Sequence, residues 1–429
     1  MTKQNENSQL NCNKNWEKYI DNKNFCILPF THMNVGTEGE TLLCCIAYGD
    51  KPIDSNIVGK DVNEVWTNDA YKKVRQDMLD GKPVKHCNRC YKEDAEGGGS
   101  DRQTHNKRFK TRKIRNDVDI NVETGNSSGA PIWVDLRPGK FCNLACTMCA
   151  VRISSGVYDE HIAHPELGEI TGTDEYDLSQ LITQDWIEND ITFESIKKWI
   201  PKLTTIKLAG GEPFFMPGVI KLLNWCVDTN NTHLQLDITT NGTFTEGKVL
   251  KLLKKFKLVC IQLSMDGIGI TNDYIRYNGD WNKLNNTYDT YLSTSKKSGG
   301  SFNVNLLSTV QAYNAFELIN IIKYWIKKGK QHLLLFNFVD WPPDMGIDIL
   351  PIADRQQIAK KIEDLVKDFS KELKEQSRIN AVIYRLKNNK ENTNLQNKWA
   401  KRTQMYDKIR NKSIFDVHHK LGEYFKKWI

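Results

Sequence analysis

Two hydrophobic patterns divide the chain. From about residue 131, short apolar or alternating runs recur: "PIWVDLRP", "TTIKLAG", "LQLDITT", "LVCIQLS", "FNVNLLSTV" and "HLLLFNFV". Between them, "FESIKKWIPKL", "PGVIKLLNWCVD", "GKVLKLLKKF", "NKLNNTYDTYLSTS" and "AFELINIIKYWIKKG" place apolar residues at helical spacing. The first set predicts strands and the second helices. Six β/α steps in succession predict an α/β fold with a parallel sheet and outer helices. A closed eight-stranded barrel needs two more strands, so a partial (β/α)6 TIM-like barrel is expected over 131–340.

The flanking regions read differently. Residues 1–95 hold one clear amphipathic helix, "NEVWTNDAYKKVRQDML", and too few long apolar segments for a large core of their own. A small unit of that kind needs a staple such as a metal cluster. Residues 96–130 are rich in Gly, Ser, Asn and charge and read as a linker. An insertion at about 152–190 interrupts the first β/α step, and 341–429 reads as a Lys-rich helical extension.

Composition agrees with a folded protein. The 429 residues are 39% hydrophobic and 26% charged, and no apolar stretch reaches the roughly 18 residues of a membrane helix. The N-terminus is polar, without the apolar core of a signal peptide, and the expected location is the cytoplasm. The net charge of +7 is modest for this length. Its densest contribution, "KRFKTRKIR" from Lys107 to Arg115, reads as a solvated linker face ahead of a nucleic-acid contact. Neither a membrane nor a nucleic acid is the expected partner.

Cysteine changes the picture most. In a reducing compartment, eleven cysteines do not make a disulfide framework. Eight are grouped: Cys26 with Cys44 and Cys45; Cys87 with Cys90; and Cys142, Cys146 and Cys149. Cys12, Cys226 and Cys260 stand apart, the last two read as core thiols. "KFCNLACTMCAV" follows the first barrel strand as C-x3-C-x2-C. Three thiolates suit three irons of a [4Fe–4S] cluster with the fourth iron open; a zinc site with its fourth ligand elsewhere is the alternative.

Later strand ends carry further candidates, where ligands gather in such folds. "LAGGEPFF" offers Gly210, Gly211, Glu212 and Pro213: glycines for close backbone approach, and a carboxylate with free carbonyls to accept from an ammonium group. "TTNGT" offers Thr240 and Asn241. "QLSMDGIGITNDYIRYNG" offers Ser264, Asp266 and Arg276, a hydroxyl, a carboxylate and a guanidinium.

In this order the motifs resemble the radical S-adenosylmethionine (SAM) superfamily over about 131–340. The resemblance implies that Cys142, Cys146 and Cys149 hold a [4Fe–4S] cluster whose open iron is chelated by SAM. An electron from that cluster then cleaves SAM to methionine and a 5′-deoxyadenosyl radical, which takes hydrogen from a substrate. It further implies that Gly210 to Pro213 bind the SAM amino group, that Ser264 and Arg276 contact ribose or carboxylate, and that Thr240, Asn241 and Asp266 belong to the same cofactor site. Met148 stands where the family often has an aromatic residue, and its thioether is expected to pack against adenine.

The N-terminal cysteines follow C-x12-G-x4-C, a gap, then C-x2-C. On spacing alone this fits a zinc ribbon. It also resembles the SPASM and twitch modules of radical SAM enzymes, which implies a second, auxiliary [4Fe–4S] cluster on Cys26, Cys44, Cys87 and Cys90. Those modules usually follow the barrel, whereas this one precedes it. The G-x4-C spacing favours Cys44 over Cys45. With four protein thiolates such a cluster would relay an electron or brace the substrate pocket.

The leading expectation is a radical SAM enzyme acting on a peptide or protein side chain, with flavodoxin or ferredoxin as electron donor. A SAM-dependent dehydrogenase of a small alcohol or sugar comes second. A zinc-stapled nucleic-acid-binding protein, or an electron carrier without radical chemistry, are the alternatives of other classes. No catalytic acid or base stands out.

Overall fold

The computed structural model describes residues 17–47, 53–95, 99–111, 124–127, 129–172, 178, 181, 184–244, 247–329, 333–369 and 377–429. Cys12 and the end of the basic run, Arg112 to Arg115, lie outside the described residues. In chain order the strands are β1 (His32–Val35), β2 (Glu40–Leu42), β3 (Ile53–Asn56), β4 (Trp133–Leu136), β5 (Ala145–Cys146) and β6 (Thr205–Leu208). Then come β7 (Gln235–Thr240), β8 (Leu258–Ser264), β9 (Arg276–Tyr277), β10 (Phe302–Val310) and β11 (Leu334–Phe338). All six expected barrel strands are present, with helices Asp190–Lys197, Pro217–Asp228, Gly247–Leu253, Trp281–Lys297 and Leu318–Lys328 between or after them. This is the α/β, mostly parallel architecture the periodicity predicts.

The chain divides into two compact units. One comprises residues up to Gly139 with Gln184–Gly210 and Pro217–Leu236; the other comprises Lys140–Thr183, Gly211–Met216 and Asp237–Ile429.

In the first unit β4 pairs in parallel with β6, matching Asp135 to Lys207. The helix-facing side is apolar, with Val134, Leu136, Ile206 and Leu208 all buried. The other face carries charge, and Lys207 Nζ lies 2.8 Å from Asp135. On its far edge β4 pairs in parallel with β1, matching His32 to Trp133 and Asn34 to Asp135. β1 then continues into an antiparallel β1–β2–β3 ribbon. The N-terminal segment is therefore built onto the parallel sheet and shares its core.

Two expectations for this unit are revised. "NEVWTNDAYKKVRQDML" forms two helices, Val62–Trp66 and Asp69–Leu79, because Asn68 is extended and its side chain accepts from the Tyr71 N–H. An asparagine N-cap restarts the helix there. The stretch read as a linker contains a helix, Asp101–Thr111. It lacks an apolar stripe, and the side chains it buries are Arg102, Asn106 and Phe109. Within the basic run, Phe109 is buried and Lys110 pairs with Asp21.

In the second unit β8, β10 and β11 are parallel, matching Leu263 to Leu306 and Leu306 to Leu334. β5 and β9 form a two-residue antiparallel pair of their own. The C-terminal extension is helical as expected: Ile352–Asp368, Ser377–Asn388, Gln396–Arg410, Ile414–Val417 and His419–Trp428. The insertion after the three cysteines forms helices Ser155–Ala163 and Leu167–Thr171.

Candidate functional site

In the first unit, Cys26, Cys44, Cys87 and Cys90 line one cavity together with Leu28, Arg102 and other neighbours. Each thiol comes from a different local device. Cys26 precedes the short helix Leu28–Thr31, whose start is fixed by Pro29. Cys44 follows β2. Cys87 ends a 3-10 turn and Cys90 lies on the helix Asn88–Ala95, so C-x2-C sets both on one side of a single turn. Burial pushes the Cys87 thiol up to about 12, aided by its neighbour Cys90. Cys26 and Cys44 are also raised by burial, and Cys26 further by Cys87. Buried thiols that disfavour one another's ionised forms gain from a shared cation, so this donor set fits a thiolate-held metal group. Cys45 does not line the cavity.

Two residues that hold the backbone around Cys26 were not legible in the sequence, and both lie in the expected linker. Arg102 donates to the Phe25 carbonyl at 2.8 Å and pairs with Asp94 at 2.6 Å. Asn106 accepts from the Ile27 N–H at 2.9 Å and donates to the Phe25 carbonyl at 3.0 Å. Together they hold the backbone on both sides of Cys26.

In the second unit, the loop carrying Cys142, Cys146 and Cys149 is stitched at several points. Ser155 Oγ accepts from the Cys142 N–H at 2.9 Å and lies 3.1 Å from its carbonyl. Ser154 Oγ donates to the Leu144 carbonyl at 2.8 Å. Cys146 sits in β5 opposite Arg276 of β9. The Cys149 N–H donates to the Cys146 carbonyl at 3.0 Å. Cys149 hydrogen-bonds to Cys146 through sulfur, which favours the Cys146 thiolate and raises Cys149. Burial pushes Cys142 up to about 11. These three thiols fit a cluster loop by the same chemistry as the first set. Among the described residues, no three His, Cys, Asp or Glu side chains are gathered as around a single metal ion.

The remaining candidates of this unit surround the loop, and several hold it. A Cβ on Gly211 would lie 2.3 Å from the Phe141 carbonyl oxygen, so only glycine lets the loop pass. The Glu212 N–H donates to that oxygen at 2.7 Å. Glu212 is wholly buried, and its carboxylate accepts from Thr240 Oγ1 at 2.8 Å and the Asn241 N–H at 2.7 Å. Burial outweighs those bonds and pushes its carboxyl up to about 7. Pro213 begins the 3-10 turn that Glu212 caps. Asn241 Nδ2 donates to Asn143 at 3.0 Å and lies 3.8 Å from Cys142 Sγ. Gly210, which belongs to the first unit, has φ +111, open to glycine and strained for other residues.

Asp266 and Arg276 form a buried pair at 2.6 Å. The other Asp266 oxygen accepts from the Thr309 N–H at 2.6 Å. Burial opposes the Arg276 charge, but Cys146 and Asp266 hold it in place and raise its pKa. Both carboxylates expected to face a ligand are thus engaged by protein donors. Ser264 is buried at the end of β8, and Met148 is half-buried in the loop. Asn143 and Thr309 were missed; nothing in their local sequence marks them.

Residues 26–91 match the SPASM family, an iron–sulfur cluster-binding domain. No curated protein matches the chain. Among solved structures, it is similar to native anSMEcpe with bound AdoMet: 19% identity, 56% of this chain and 62% of that one, TM-score 0.40. It is also similar to Streptococcus suis SuiB bound to S-adenosylmethionine, at 11% identity over 69% of this chain and 63% of that one, TM-score 0.38. SuiB bound to precursor peptide SuiA matches at 12% identity over 70% and 64%, TM-score 0.36. The chain spans about three fifths of the length of the first of these. The N-terminal segment thus matches a SPASM-type iron–sulfur cluster-binding module. Among the described residues, no helix is long and apolar enough to cross a membrane.

Proposed function

We propose that this protein is a radical SAM enzyme acting on a peptide or protein side chain, with an auxiliary [4Fe–4S] cluster in its N-terminal module and flavodoxin or ferredoxin as electron donor. The observation that carries the reading is the three-cysteine loop of the second unit, stitched by Ser154, Ser155, Gly211 and Asn241 so that its thiols sit on one short, tied-down loop. When bound, the cluster on Cys142, Cys146 and Cys149 supplies the electron that cleaves SAM.

Each residue then has a definite task. Cys142, Cys146 and Cys149 would hold the cluster through their thiolates. Asn241 orients the loop through Asn143, and Glu212 fixes Asn241. Arg276, held by Asp266, keeps positive charge beside Cys146 and Cys149, which favours their thiolates. Ser264, Met148, Thr240 and Pro213 remain the candidate contacts for SAM in the second unit. In the first unit, Cys26, Cys44, Cys87 and Cys90 line one cavity and would hold the auxiliary cluster, which would relay an electron or brace the substrate pocket. The peptide assignment draws on the SPASM-type module: such modules accompany enzymes that modify peptides or proteins, dehydrogenate alcohols or build cofactors, and a peptide or protein side chain is the first choice among these substrates.

Protein purified without oxygen is expected to be brown, with broad absorbance near ~400 nm and about eight irons per chain. After reduction with SAM present it should release 5′-deoxyadenosine. Colourless, iron-free protein would sink the assignment, and clusters without 5′-deoxyadenosine would mark an electron carrier. Deuterium passing from a labelled candidate peptide into 5′-deoxyadenosine identifies the substrate class; its absence across peptides moves the substrate to small molecules.

A further inference from the structure

The helix Gln396–Arg410 lies about 250 residues beyond the three-cysteine loop, yet its polar side chains converge on the elements that support the loop. Arg410 forms a two-pronged pair with Glu160, with Nε 2.8 Å from one oxygen and Nη2 2.7 Å from the other. Both side chains are buried, at 2% and 7% exposure. Glu160 sits on Ser155–Ala163, the helix whose first residue hydrogen-bonds Cys142 at both its N–H and its carbonyl. The Arg410 guanidinium also lies over the Tyr277 ring at 4.7 Å and the Tyr406 ring at 3.9 Å. Tyr277 belongs to β9, where it faces Ala145, while its neighbour Arg276 faces Cys146. Tyr277 and Cys149 pack against the small core of Ala145, Val151 and Val157.

One guanidinium therefore touches both supports of the cysteine loop: the helix behind Cys142 and the strand beside Cys146. Two further ties fix the helix that carries it. Asp407 accepts from the Tyr274 hydroxyl at 2.7 Å. Arg402 pairs with the buried Asp344 at 2.6 Å and donates to the Ile170 carbonyl at 3.0 Å. A surface helix needs none of this. A planar, bidentate, ring-stacked arginine sealed from water is a geometric device, and lysine cannot reproduce it.

We propose that Arg410 is a positioning residue for the SAM-binding cluster: through Glu160 and Tyr277 it clamps the two sides of the three-cysteine loop in the spacing that holds iron. The inference rests on the radical SAM reading of that loop. It assigns the C-terminal extension a part in cofactor retention.

The test uses the full chain, purified without oxygen and loaded with iron and sulfide. Wild-type protein comes first: if it shows no reduced-cluster EPR signal that changes on adding SAM, the radical SAM reading fails and the clamp is not at issue. Where it does, Arg410→Met is expected to lose about half of the roughly eight irons, keeping the auxiliary cluster as evidence that the fold is intact. Arg410→Lys is expected to load both clusters but to surrender iron from one of them to a chelator at least threefold faster. Its KM for SAM should rise at least fivefold, with kcat for 5′-deoxyadenosine within twofold. The exchanged pair Arg410→Glu with Glu160→Arg should recover iron retention relative to Arg410→Met. If Arg410→Met does not fold, Arg410→Lys decides. Wild-type chelation rate, EPR signal and KM in Arg410→Lys would overturn the proposal.

Discussion

At the scale of single residues, adjacent side chains can have unrelated fates. Cys44 lines the four-thiol cavity, whereas Cys45 does not. Cys44→Ala is therefore expected to lose about four of roughly eight irons, and Cys45→Ala to keep them, as measured by iron content after anaerobic purification. Glu212 gives a prediction with a sign. Its carboxyl stands at about 7 in the fold, against about 4.3 in an unfolded chain. The folded state holds that proton more tightly, so the stabilisation is fully present below about pH 4 and lost as pH rises through 7. The span corresponds to roughly 4 kcal/mol. Glu212→Gln should flatten the thermal midpoint between about pH 5 and 7.5; an unchanged slope would place the carboxylate as ionised throughout.

Elements were legible where burial follows period, and obscure where polar groups do the packing. The barrel strands showed themselves because one face of each lies under helices: β6 alternates Thr205, Ile206, Lys207, Leu208 as half-buried and buried. The three cysteines and the motifs at the strand ends were equally plain, since their spacing is local. The helix Asp101–Thr111 escaped because its buried anchors include Arg102 and Asn106, whose partners are backbone groups around Cys26 nearly eighty residues away. Asn106→Ala strips the bonds to Phe25 and Ile27; Arg102 still donates to the Phe25 carbonyl, so the Ile27 N–H is the group that loses its partner, at about 1–3 kcal/mol. The expected outcome is loss of auxiliary-cluster absorbance with the SAM-responsive EPR signal retained. Retention of both clusters would reduce this helix to a passive cover. The short β5–β9 pair was equally hidden, because two residues carry no period.

Across the molecule, long-range polar ties were the least legible feature. Arg402 and Asp344 are each at most 1% exposed and lie 58 positions apart. No run of sequence announces such a pair. Removing one partner strands a buried charge at a cost of about 3–5 kcal/mol. Asp344→Asn should accordingly lower the thermal midpoint by several degrees, more than any exposed ion-pair deletion such as Lys73→Ala, since exposed pairs contribute about 0–1 kcal/mol. Equal shifts in the two variants would show that Arg402 finds water once Asp344 is neutral.

The parallel pairing of β1 with β4 sets a schedule for synthesis. His32 meets Trp133 across 101 residues, and at about 5–20 residues per second the ribosome needs roughly 5–20 s to supply that partner. Until then β1 is an open sheet edge, a template for pairing with other chains. Ribosome-bound chains halted before residue 133 should accordingly be more protease-sensitive around Cys26 than chains halted well past it. β1 is translated well before its partner, and Cys26 waits with it.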